Sequence, residues 1–135
     1  MEPKELRIGN LVRCIAHLPI GFNSHKLIFA KVKEIRYNYI DSNMGTHKYS
    51  DIGPINLTEN ILLKSKFNIL NEDSESSRLY SYHDFILISN EDGFGFETGT
   101  DDNVLIRNLR IKYVHELQNI YYDLSGSELD IILAS

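Results

Sequence analysis

Tyr113-Val114-His115-Glu116-Leu117-Gln118-Asn119-Ile120-Tyr121-Tyr122-Asp123-Leu124-Ser125-Gly126 carries the strongest helical pattern in the chain. Tyr113, Leu117, Ile120, Tyr121 and Leu124 recur at i, i+4, i+7, i+8 and i+11, which lays one apolar stripe along a helix. His115, Glu116, Asn119 and Asp123 then face elsewhere, and Ser125-Gly126 ends the helix in the way glycine commonly does. Upstream, Leu57 to Lys64 predicts a shorter helix, with Thr58 as N-cap and Pro54 keeping the entry extended. Beyond the long helix, Leu129 to Leu133 is an apolar run suited to an edge strand.

Between and before the helices the period changes from helical to alternating. Glu5 to Arg13 alternates around Gly9-Asn10, the pattern of a half-buried strand with a turn or bulge. In Leu27 to Ile35, Ala30, Val32 and Glu34 point one way and Lys31, Lys33 and Ile35 the other, which predicts a strand with one solvated face. Tyr37 to Ile40 and His47 to Tyr49 are further short strands, with Asp41-Ser42-Asn43 ending the first of them. A meander follows from Leu79 to Arg107, with strands at Asp84–Ser89, Phe94–Thr98 and Val104–Ile106 and a hairpin signal at Asn90-Glu91-Asp92-Gly93. The fold class is therefore α+β: a small curved antiparallel sheet or SH3-like partial barrel, a short central helix and one amphipathic C-terminal helix.

At 135 residues and 42% hydrophobic, the chain can bury one core, so residues 1–135 read as a single domain. No apolar run approaches the roughly 20 residues that span a bilayer, and no secretory signal opens the chain. Location in the cytoplasm follows as the expectation. The lone Cys14 lies in Leu11-Val12-Arg13-Cys14-Ile15-Ala16 and reads as a core thiol. A formal charge of −5 disfavours a surface that grips nucleic acid everywhere, while leaving room for a local basic patch.

Three stretches carry a resemblance: Glu5-Leu6-Arg7-Ile8-Gly9-Asn10, Pro54-Ile55-Asn56-Leu57-Thr58-Glu59-Asn60-Ile61-Leu62-Leu63-Lys64, and Ile111 through Leu129. In this order they resemble a family of small uncharacterised proteins of phages and prophages of Bacteroides-type bacteria. The resemblance implies a genomic setting, a bacterial host cell, and no catalytic residues. Small accessory proteins in that setting often inhibit or soak up components of host defence.

Chemistry-bearing residues are sparse. His17, His25, His47, His83 and His115 lack the spacing of a metal site, and with one thiol a zinc centre is disfavoured. His83-Asp84 would point to opposite faces of a strand, which argues against an orienting pair for Ser81. Gly93-Phe94-Gly95-Phe96-Glu97-Thr98-Gly99-Thr100 lacks the Lys-Ser/Thr of a phosphate loop and reads as hairpin glycines that let Phe94 and Phe96 project from one face. No catalytic set, metal or cofactor is expected.

One cluster stands out. Lys31, Lys33, Arg36, Tyr37 and Tyr39, followed by His47, Lys48 and Tyr49, interleave cations with aromatics, as sites for nucleotides and single strands do. Arg36 and Lys48 would meet phosphate, and Tyr37 and Tyr39 would stack on bases; the alternative is a curved sheet with lysines guarding its edges. His115, on the long helix, is the remaining candidate for a groove-lining ligand contact. The expected function is a non-enzymatic phage accessory protein that sequesters a small nucleotide ligand, as a homo-oligomer able to place a pocket between subunits. Alternatives are a module that blocks a host protein, a nucleic-acid-binding domain, or a hydrolase with a dispersed site using His83 or His115.

Overall fold

The computed structural model describes residues 1, 3–17, 25–70, 78–83, 85–90, 93–100 and 103–133. The length argument sets one domain, and the chain packs as two compact units interleaved in sequence. The first takes Met1–Ile55 and Tyr113–Glu128, the second Asn56–Lys112 and Leu129–Ser135. The fold is α+β: the described residues form two antiparallel sheets of five strands each and two α-helices.

In the first unit, β1 (Leu11–His17), β2 (His25–Ile35), β3 (Tyr39–Ser42) and β4 (Gly45–Lys48) run as a meander. A 3-10 turn at Tyr49–Asp51 then leads into β5 (Ile52–Gly53), which returns to pair with β1. The strand order is β4-β3-β2-β1-β5, and among the described residues the sheet does not close into a barrel. Its register shifts between Val32 and Glu34, where a bulge bends β2 and lets one strand serve both halves of the curved sheet. The alternation seen in the sequence is real: Val12, Cys14, Ala30, Val32, Ile40 and Ile52 form one buried cluster with Leu6, while Arg13, Lys31 and Lys33 are exposed.

The long helix α1 of this unit spans Val114–Ser125, and Gly126 at φ 74° ends it as expected. Its buried stripe is Val114, Leu117, Gln118 and Tyr121, with His115 also inside. That is a correction to the stripe read from apolar residues alone, since Leu124 is 56% exposed and His115 only 2%. Polar side chains occupy the inner face because they have backbone to satisfy. Gln118 Oε1 accepts from the Leu11 N–H at 2.8 Å and its amide donates to the Gly9 carbonyl at 3.2 Å. Asn10, fully buried, bonds Asn119 at 2.8 Å and accepts from the Arg7 N–H at 2.7 Å. Arg7 pairs with Glu128, bonds Asn119 at 3.2 Å and lies 4.2 Å over the Tyr122 ring. Of the alternating stretch from Glu5 to Arg13, only the part from Leu11 is strand; the residues before it form a turn held by helix side chains, with Gly9 at φ 98°, at the Gly9-Asn10 pair where the sequence signals a turn or bulge.

In the second unit, β6 (Asn68–Ile69), β7 (Leu79–Tyr82), β8 (Phe85–Asn90), β9 (Gly93–Thr100) and β10 (Asn103–Ile111) form a meander in the order β10-β9-β8-β7-β6. Phe85 and Leu87 are buried on one side of β8, and Phe94 meets Tyr80 edge-on at 6.0 Å. The side chain of Phe96 lies outside the described residues. The short helix α2, Glu59–Lys64, starts as predicted, with Thr58 Oγ1 accepting from the Ile61 N–H. Glu59 then takes Arg78 at 2.8 Å and the Tyr80 hydroxyl at 2.7 Å. Leu129 to Leu133 forms no strand; Leu129 is buried and the Ile132 N–H donates to Ser65 Oγ at 2.9 Å. Among the described residues, no helix is long and apolar enough to cross a membrane.

Candidate functional site

The basic and aromatic cluster falls on the β2–β3–β4 part of the first sheet. Antiparallel pairing sets Tyr39 opposite Lys48 and Ile40 opposite His47, so the two pairs face opposite sides. Tyr39 and Lys48 point outward; Tyr39 is 37% exposed and Lys48 exposed. Tyr37, in the bend before β3, is 92% exposed. These three side chains form an open surface with two rings and one ammonium.

His47 belongs to the other face. It is 9% exposed beside the fully buried Ile40, and its Nε2 lies 3.1 Å from Ser42 Oγ. That hydroxyl also donates to the Gly45 carbonyl and accepts from the Met44 N–H, so the His47–Ser42 pair ties off the β3–β4 turn. The register explains this: Ile40 must enter the core, and its cross-strand partner goes with it.

Arg36 is placed on the hairpin and is already engaged. Its guanidinium pairs with Glu34 and lies 3.7 Å from Asp41, and Glu34 is the main reason its pKa is raised above the ordinary arginine value. Asp41 also accepts from the Thr46 hydroxyl at 2.7 Å. The Arg36 carbonyl receives the Tyr49 hydroxyl, which fixes the bend carrying Tyr37. Arg36 thus braces the hairpin. Glu34 and Asp41 were not singled out in the sequence; their alternation with Lys33 and Arg36 is the signal that could have found them.

His115 is remote from this surface in chain position and in chemistry. It lies in the buried face of α1, its ring stacked on Tyr113 at 5.8 Å and 10°, with Nδ1 lacking a hydrogen-bond partner. Burial lowers its pKa, against smaller opposing effects of Glu116 and Glu5. His83 is not on a strand; it holds φ 52° in the turn after β7, and Asp84 lies outside the described residues. Cys14 is fully buried, and burial, with Asp51 adding, pushes its pKa up to about 11. Among the described residues, no group of three or more His, Cys, Asp or Glu side chains is arranged to hold a metal ion.

Comparison with protein-family models, curated proteins and solved structures finds no match. Geometry and sequence therefore carry the functional reading.

Proposed function

We propose that the protein is a non-catalytic binding protein of a phage or prophage, acting in the bacterial cytoplasm, and that it sequesters a small anionic ligand of nucleotide type on the outer face of the β3–β4 hairpin. The observation that carries this reading is the outward cross-strand pair Tyr39 and Lys48 beside the 92%-exposed Tyr37. An exposed aromatic ring offers a base a π-face, and the ammonium of its cross-strand partner offers the phosphate a counter-charge. The hairpin is preorganised for this task. Ser42–His47 closes its turn, and the Glu34–Arg36–Asp41 bridge with the Tyr49 hydroxyl fixes its base.

Isothermal titration with nucleoside monophosphates, cyclic dinucleotides and short single-stranded oligonucleotides tests the proposal. Tyr39→Ala and Lys48→Ala are each expected to weaken binding by about tenfold or more, because one base stack is worth ~1–3 kcal/mol. Arg36→Ala changes affinity by less, since its charge is committed to Glu34 and Asp41. Binding that persists unchanged in both Tyr39→Ala and Lys48→Ala rejects the site, and absence of binding to the whole panel rejects the ligand class.

A second reading has one observation in its favour. The charges at the hairpin base pair among themselves while Tyr37 stands almost fully in solvent, the arrangement of an aromatic anchor within a polar rim. A host protein whose complex is lost in Tyr37→Ala, with no nucleotide bound, would favour an inhibitory interaction module.

A further inference from the structure

The outer face of the β3–β4 hairpin carries acids as well as the Tyr39–Lys48 pair. Tyr39 lies opposite Lys48, and two residues along the strand Asp41 lies opposite Thr46 on one side and Glu34 on the other. Cross-strand partners, and residues two apart on one strand, share a face, so all five side chains belong to the same surface. Asp41 is held in place on it. One carboxylate oxygen accepts from the Thr46 hydroxyl at 2.7 Å, and the other lies 3.7 Å from Arg36 Nε. Diagonal neighbours on paired strands are roughly 7–8 Å apart, which sets Asp41 at that distance from Lys48.

The charges on this surface limit what it can take. Glu34, Arg36 and Asp41 are tied to one another, and two carboxylates with one guanidinium leave a net negative charge. Lys48 balances it, and β3 and β4 carry no other lysine or arginine. On the neighbouring strand, Lys31 acts on Glu128, and Lys33 is the residue without a cross-strand partner at the β2 bulge, two strands away from Lys48. The chain as a whole carries −5, so nothing at longer range favours a polyanion. A phosphate with one charge is neutralised by Lys48. Each further charge stands against a carboxylate that Thr46 and Arg36 keep from turning away.

We infer that Asp41 sets the ligand class of this surface: a nucleotide whose phosphate is a singly charged diester is taken in preference to one that ends in a di- or triphosphate. This selectivity presupposes that the Tyr39–Lys48 pair binds nucleotide. Asp41 touches no part of the ligand in it and acts through its fixed charge, with Thr46 and Arg36 as the groups that position it.

Isothermal titration with cyclic AMP, AMP and ATP, without divalent cations and at low ionic strength so that screening is weak, presents one base with a rising charge. The parent protein is expected to bind cyclic AMP tightest and ATP weakest. Asp41→Asn keeps an acceptor for the Thr46 hydroxyl and removes the charge. A unit charge at that distance in water changes affinity by about threefold per ligand charge, so ATP should gain at least about threefold more than cyclic AMP does. Glu34→Gln leaves Asp41 and Thr46 untouched and should move the ratio in the same direction. ATP bound as tightly as cyclic AMP by the parent protein, or a ratio unchanged in both variants, overturns the selectivity and leaves the nucleotide site standing. Failure of all three ligands to bind removes the site itself, and the selectivity with it.

Discussion

Replacing Gln118 with Leu should cost about 2–3 kcal/mol, far more than a change of one side chain on an isolated helix would. Gln118 is 3% exposed, and its amide does what a strand neighbour would do, accepting from the Leu11 N–H at 2.8 Å and donating to the Gly9 carbonyl at 3.2 Å. Leucine has nearly the same volume, so packing survives while the two backbone groups on either side of the fully buried Asn10 lose their partner. A buried donor or acceptor left unpaired costs ~1–3 kcal/mol, and the partial access of water at Leu11 keeps the sum toward the lower end. Urea unfolding followed by far-ultraviolet circular dichroism measures it, with an unchanged slope required so that the midpoint reports stability. At about 2–4 °C per kcal/mol the melting temperature should fall by roughly 5–10 °C. A variant within about 0.5 kcal/mol of the parent protein would show that Gln118 does not hold the Gly9–Leu11 backbone, because surface substitutions do no more than that.

Further outcomes follow from the buried groups. The pKa of His115 is lowered in the folded state, so its neutral form is the stable one; stability is full above the unfolded value of 6.5 and declines as pH falls from there through the folded pKa. His115→Leu should flatten that decline and remove the unpartnered Nδ1, which melting curves between pH 7.5 and 5 would read. Cys14, with its pKa near 11 and no exposure, should react with a disulfide reagent at pH 8 only as fast as the protein opens, and at full speed in denaturant. Thr58→Ala removes the bond to the Ile61 N–H and should lower stability by about 1 kcal/mol, measured by the same urea midpoint.

Local periodicity was legible in the sequence, and partnership was not. The helix from Val114 to Ser125, its Gly126 stop, the Thr58 cap and the inward Ala30 and Val32 all depend on spacing within a few residues. Side chains that answer to distant backbone broke the pattern. Glu5 to Asn10 alternates like a strand, yet its backbone groups are taken by Asn10, Gln118 and Asn119, partners within a turn or more than a hundred residues away. Gln118 and His115 count as polar in any stripe and are nevertheless buried, whereas Leu124 is apolar and exposed. The two-residue strands β5 and β6 are too short to show a period, so the fifth strand of each sheet could not be read. For the candidate surface, composition found Tyr37, Tyr39 and Lys48; it took the register of β3 against β4 to move His47 inside and the Glu34 and Asp41 pairing to engage Arg36. The stretches behind the phage resemblance are largely structural in this light. Arg7, Asn10, Asn119 and Glu128 bind one another, and Thr58 and Glu59 cap α2 and anchor Arg78 and Tyr80.

Native mass spectrometry of the protein purified from bacterial cells with active defence systems bears most directly on the claim that this is a ligand-sequestering protein, since it weighs subunits and retained molecules together. A homo-oligomer carrying a nucleotide mass that disappears in Lys48→Ala is the predicted result. A spectrum of bare subunits that gain no mass on addition of any nucleotide would contradict it.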